Sequence, residues 1–257
     1  MLLLATVALA GFVSALGAPH SIITGGGRIV NGTDAAPGQY PFIASLQYRG
    51  KHTCGSSVVN ECYIVTASHC VDGREPVDLT VLAGTAVLGH GGVRHAAQLI
   101  TMHPGYNPDA MYENDIALVK LSSPITFNDQ AQPVALPNQL EPTKGGTLAT
   151  VIGWGFPYTD GGVMEKLQHV NITVYDDEKC QSIHSLEVHD TNICAGVPEG
   201  GKGQCSGDSG GPLIAGGHQV GIVSWSVKPC TVAPYPGVYT EVAHYVDWIR
   251  ENSKDAC

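Results

Sequence analysis

At 257 residues, with 43% hydrophobic and only 14% charged side chains, the chain can bury one large or two small cores and is too apolar to be disordered. Its formal net charge of −10, from 13 basic and 23 acidic residues, leaves no basic footprint for nucleic acid and reads as a solvated acidic surface. The 32 glycines and 16 prolines fall without period, which excludes a collagen-like repeat and suits a turn-rich all-β chain.

Residues 1–17 hold an apolar run, Leu2 to Val13, followed by the small-x-small pattern Ala15-Leu16-Gly17. This predicts a secretory signal peptide; a membrane anchor is the alternative, but the run is short for a span. The mature protein is therefore expected to be secreted, extracellular and free of the membrane. Eight cysteines then read as disulfides formed in an oxidising compartment. Residues 18–28 are loop-like and end Gly25-Gly26-Gly27-Arg28. They form either an ordinary linker or a site open to proteolysis, after which Ile29-Val30 would be an apolar new terminus.

From Phe42 onward, short β-branched or aromatic runs alternate with turn residues. Ile43 to Tyr48, Leu79 to Leu82, Ile116 to Val119 and Gln219 to Val223 are of strand length, which predicts a β sandwich or barrel. Only the end reads as clearly helical, with Tyr245, Trp248 and Ile249 at three- and four-residue spacing. Thr66-Ala67-Ser68-His69-Cys70 places a histidine beside a cysteine that would pin its backbone if bridged. Asp115 stands at the mouth of an apolar strand, where an acid tolerates burial only if hydrogen-bonded. Gly207-Asp208-Ser209-Gly210-Gly211-Pro212 is a sharp glycine-rich turn around a serine. Either it is a plain surface turn, or the amides of Gly207 and Ser209 form an oxyanion hole beside a nucleophile.

His69, Asp115 and Ser209 thus make an ordered His, Asp, Ser set. With Arg28 to Gly32, Thr66 to Cys70, Asp115 to Leu118, Gly153-Trp154-Gly155, Gly207 to Pro212, Val223-Ser224-Trp225 and Pro236 to Tyr239 in one order, the chain resembles the chymotrypsin/trypsin family of serine peptidases. The resemblance implies an all-β fold of two antiparallel six-stranded β-barrels, the active site between them, and a C-terminal helix. It also implies a signal peptide over 1–17, an activation propeptide over 18–28 and a peptidase domain over 29–257. In those terms Ser209 is the nucleophile, His69 the general base and acid, Asp115 its orienting carboxylate, and Ser224 a hydrogen-bond partner of Asp115. Cleavage after Arg28 would free the Ile29 amine to pair with Asp208, which His52 and Ser45 would hold in the precursor.

The same resemblance pairs Cys54–Cys70, Cys180–Cys194 and Cys205–Cys230, and leaves Cys62 and Cys257 for a fourth bridge. It places the floor of the primary specificity pocket at Gly203, with Gly237 and Ser226 on its walls, so a deep uncharged slot for Phe, Tyr or Leu is expected. A folded Gln204 would shorten that slot toward Leu, Met or smaller residues. Tyr112 would crowd the next subsite and Trp225 form a flat wall beyond it. No cofactor or metal is expected: Gly84 to His103 holds no acid for calcium, and His90, His95 and His103 lack fixed geometry for zinc. Asn31 and Asn171 lie in glycosylation sequons. Expected partners are peptide or protein substrates, an activating protease and protein protease inhibitors, with the enzyme a monomer. A digestive role is expected, the alternatives being a regulatory protease with one target or a non-catalytic binding relative.

Overall fold

The computed structural model describes residues 29–184 and 188–257; the expected leader, propeptide and Arg28 lie outside them. After a two-residue strand β1 (Thr33–Asp34), six strands form: β2 (Ile43–Tyr48), β3 (Lys51–Asn60), β4 (Tyr63–Thr66), β5 (Leu79–Ala83), β6 (Val93–Met102) and β7 (Ala117–Leu121). They close into an antiparallel barrel in the order β2-β3-β4-β7-β6-β5. The tight β2–β3 hairpin turns on Arg49 and Gly50, both at positive φ (49° and 79°), the geometry that matches strand twist in a two-residue loop. Leu46, Ile64, Val65, Leu118 and Leu121 are all fully buried in the core built on this barrel.

The second half repeats the plan with β8 (Leu148–Gly153), β9 (Gln168–Val174), β10 (Asn192–Gly196), β11 (Pro212–Ala215), β12 (His218–Trp225) and β13 (Gly237–Glu241). These run β9-β10-β13-β12-β11-β8, the β8–β9 pairing closes the ring, and β1 adds to the edge of β9. Val151, Ile172, Leu213 and Tyr239 fill it. Each expected strand is present, with shifted ends: Ile116 lies just before β7, and Gln219 to Val223 is the middle of a longer β12.

Helix α1 (Asp177–Ile183) was not legible in the sequence, because only Cys180 of its seven residues is buried and no apolar stripe marks it. The C-terminal helix α2 (Val246–Asn252) buries Val246 and Ile249 against the core of the first barrel. Four disulfides form: Cys54–Cys70, Cys180–Cys194, Cys205–Cys230 and Cys62–Cys257, the last with Cα atoms 5.1 Å apart. No helix among the described residues is long and apolar enough to cross a membrane.

Candidate active site

Asp115 is fully buried, and every contact to its carboxylate is a donor. The His69 amide reaches Oδ1 at 2.9 Å, His69 Nδ1 reaches Oδ2 at 2.7 Å, and the Ser224 hydroxyl reaches Oδ2 at 2.6 Å. Three donors around an acceptor-only group offset its loss of water. Thr240 Oγ1 donates to the Asp115 carbonyl at 2.9 Å, fixing the backbone as well. Since Asp115 accepts at Nδ1, the proton of neutral His69 sits there and Nε2 is left with a lone pair. His69 rides on the 3₁₀ turn Ser68–Cys70, tied down by the Cys54–Cys70 bridge and by Ser68 Oγ donating to the Ile116 carbonyl at 2.7 Å.

Ser209 comes from the loop before β11 and meets His69 in one cleft of about 430 Å³. The Gly55 amide in β3 donates to the Ser209 carbonyl at 2.8 Å, so the first barrel holds the second barrel's loop directly. Gly210 has φ of 75°, and a Cβ there would overlap Thr66 Oγ1 and the Gly55 carbonyl, so only glycine fits.

The two expected oxyanion donors are oriented by their own peptide planes. The Ser206 carbonyl accepts from Phe156 N–H at 2.7 Å and the Asp208 carbonyl from Gly211 N–H at 2.9 Å. In a trans peptide the N–H points opposite to the C=O, so the Gly207 and Ser209 amides are turned away from those partners. Among the described residues neither amide has a protein acceptor, and both residues line the cleft.

Asp208 is wholly buried, and its carboxylate accepts from Gly155 N–H at 2.8 Å and Cys205 N–H at 3.0 Å. Burial pushes its pKa up to about 7 against the pull of those amides. His52 and Ser45, expected to hold Asp208 in the precursor, do something else in this structure. His52 Nε2 donates to the Gly207 carbonyl at 2.9 Å and Nδ1 meets Ser45 Oγ at 2.8 Å, so together they brace the oxyanion loop. Burial lowers the His52 pKa, keeping the ring neutral and suited to that pair of bonds. Ile29 is fully buried in the second core, and Val30 bridges Gly203 through N–H to carbonyl at 3.1 Å.

Of the two forms of the specificity pocket that were expected, the structure has the one shortened by Gln204. Gly203 and Gly237 do not line the main cleft but a separate recess of about 10 Å³, shared with Gln204 and Ser226. Gln204 is buried at 3% exposure, with Nε2 donating to the Trp225 carbonyl at 2.8 Å. It lies over Gly237, where a Cβ would come within 2.7 Å of Nε2. The expected deep slot is therefore filled by this side chain, and the cleft ends at Gln204 with Ser226 beside it. Tyr112 stands against His69 with ring centroids 5.5 Å apart, and Trp225 lines the same cleft.

Sequence reasoning passed over Lys228, Ser206 and Met111, which also line the cleft. Lys228 Nζ donates to Ser206 Oγ at 3.1 Å. The available signal was its place in Trp225-Ser226-Val227-Lys228, the segment running from the wall to Cys230. His90, His95 and His103 do not converge: His95 faces Ser123 at 3.1 Å, and His103 packs on Tyr245 and Trp248 at 5.3 Å. The Cys/His groups Cys54, His69, Cys70 and Cys180, His184, Cys194 have their thiols consumed in disulfides. Asn31 and Asn171 are both exposed; Asn31 Nδ2 donates to the Gly201 carbonyl, and Thr150 Oγ1 donates to Asn171 Oδ1.

A family model described as Trypsin matches residues 29–249. Trypsin-1 of Astacus astacus is 40% identical over 240 residues, covering 88% of this chain and 100% of that protein. Trypsin beta of Drosophila erecta is 38% identical over 231 residues, covering 88% and 89%. Trypsin delta of the same fly is 37% identical over the same span.

Proposed function

The chain belongs to the trypsin family of serine endopeptidases, and from that premise we propose a secreted digestive enzyme, made as a zymogen, that cuts after apolar residues. The observation that carries the chemistry is the buried Asp115, hydrogen-bonded to His69 in the cleft that Ser209 lines. Ser209 Oγ attacks the scissile carbonyl while His69 Nε2 takes its proton. The Gly207 and Ser209 amides receive the negative charge that forms on the carbonyl oxygen. His69 then gives the proton to the leaving amine, the C–N bond breaks, and water repeats the sequence on the acyl-enzyme.

The zymogen reading assigns cleavage to the Arg28–Ile29 bond. It is supported by burial of Ile29 and Asp208 in the same barrel and by the Val30–Gly203 bridge, which links the new terminus to the pocket. Residues 1–17 and the four disulfides support secretion.

The relatives' name raises a competing reading, cleavage after Lys or Arg. That preference needs an acid in the slot, and Gly203 and Gly237 supply none. A short, neutral slot ending at Gln204 favours Leu and Met over the larger aromatics. At the slot, selection by size and polarity suits broad degradation of proteins, the digestive role, better than recognition of one target.

The test uses protein freed of residues 1–28, a peptide library and Ser209→Ala. Turnover should fall on the order of 10⁶-fold in the variant. A phosphonate probe should label Ser209 alone. An Arg-nitroanilide cleaved with higher kcat/KM than the Leu and Phe analogues would overturn the apolar assignment.

A further inference from the structure

Among the described residues that line the cleft, Lys228 is the only lysine or arginine, and no aspartate or glutamate lines it. This is unexpected in a chain with 13 basic and 23 acidic residues. Asp115 and Asp208, the two acids beneath the cleft, are fully buried and already hold donors from His69, Ser224, Gly155 and Cys205. The cation itself is held on the rim: Nζ lies 3.1 Å from Ser206 Oγ and 3.0 Å from Cys230 Sγ. Neither partner carries charge, so the ammonium is not neutralised on contact.

We propose that Lys228 is a specificity-determining residue that selects substrates with an acidic side chain three or four residues before the cut. The placement follows from the backbone. Strand β12 ends at Trp225, Ser226 stands beside Gln204 at the slot, and Lys228 is two residues farther out along the same segment. Ser226 has no backbone partner among the described residues, leaving an edge that an extended peptide can pair with. A peptide advances about 3.3 Å per residue, so a side chain a few positions upstream of the slot reaches the lysine. Asp160, exposed on the neighbouring loop, acts on Lys228 through its field along with buried Asp208. No ion pair within 4 Å joins Lys228 to either acid among the described residues, so Asp160 weakens the site without filling it.

The inference rests on the peptidase reading, and the experiment separates the two. Matched Leu-nitroanilide peptides carrying Asp, Ala or Lys at the third and fourth positions before the cut are assayed with the parent, Lys228→Gln and Asp160→Asn proteins. The Asp peptide should exceed the Ala peptide in kcat/KM by about three- to fivefold, the range of an exposed ion pair. That ratio should fall to about one in Lys228→Gln, rise in Asp160→Asn, and shrink in high salt. Binding of the same peptides to Ser209→Ala, followed by calorimetry, measures the preference without turnover. Peptides bound with the acidic preference but left uncut by the parent would overturn the peptidase reading and leave the role of Lys228 standing. Equal Asp and Ala peptides in both assays, or a preference that survives in Lys228→Gln, would overturn the proposal.

Discussion

At the scale of single residues, the cleft is shaped by groups whose neighbours leave them one position. Gln204 is the clearest case. Gly237 provides the space and the Trp225 carbonyl the acceptor, so the amide lies across the slot that its own sequence neighbours would leave open. Gln204→Ala should restore the deep slot and raise the Phe-to-Leu ratio of kcat/KM by about tenfold or more, the scale on which pocket volume discriminates. An unchanged ratio would mean that another group sets the depth. Asp208 makes a second prediction, in the uncleaved chain. Its folded pKa is about 7, whereas an unfolded aspartate titrates near 4. Between those values the folded chain keeps a proton that the unfolded chain has lost, so this group's contribution to stability falls as pH rises from about 4 to about 7. Relative to Asp208→Asn, the parent should therefore lose thermal stability between pH 5 and pH 7.5. His52 titrates in the opposite sense, since burial lowers its pKa and protonation on acidification is destabilising, but it is common to both proteins and cancels in the difference. A difference between parent and variant that is the same at both pH values would refute the assignment.

At the scale of elements, the active loop is a seam between two barrels rather than a feature of either. β3 meets it at Gly55, whose amide holds the Ser209 carbonyl and whose Cα faces Gly211. A Cβ on Gly55 would come within 2.7 Å of Gly211 Cα and 3.0 Å of its nitrogen, both backbone atoms that cannot swing aside. Gly55→Ala should destabilise the protein by about 3 kcal/mol, the upper range for overpacking, and slow phosphonate labelling of Ser209. Denaturant melts that agree within about 0.5 kcal/mol, the scatter of a neutral surface substitution, would show that the seam yields. This seam was only partly legible in the sequence. Four of the strands were, because short β-branched or aromatic runs between turn residues are local signals, and so were His69, Asp115 and Ser209, each set in a distinctive neighbourhood. Helix α1 was not, since a short helix with one buried residue has no periodicity to read. The folded Gln204 was legible only as one of two forms of the slot, and the reach of Lys228 was not legible at all. Each depends on a contact with a residue 21 or 22 positions away, Trp225 for Gln204 and Ser206 for Lys228.

At the scale of the whole molecule, the chain ends by returning from the second barrel to the first. β13 belongs to the second barrel, yet α2, which follows it, buries Val246 and Ile249 in the core of the first. Asn60 Nδ2 then donates to the Ser253 carbonyl at 2.8 Å, and Cys257 is bonded to Cys62. The last segment is thus a strap that joins the barrels from behind while the catalytic groups join them in front. The disulfide closes a separation of 195 residues, for which loop entropy alone gives roughly 5 kcal/mol. The observed effect should be smaller, because helix packing and the Asn60 bond persist without the bridge and keep the ends together. Replacing both Cys62 and Cys257 by serine should cost about 2–4 kcal/mol, which for a chain of this size lowers Tm by about 5–15 °C. Activity at 25 °C should be retained, since neither cysteine lines the cleft. Single replacement of Cys257 should match the double variant in Tm if the strap works through loop closure, because one missing sulfur opens the loop as fully as two. A variant that keeps its Tm but loses turnover would reverse the assignment, making the strap a device that sets the cleft rather than one that holds the fold.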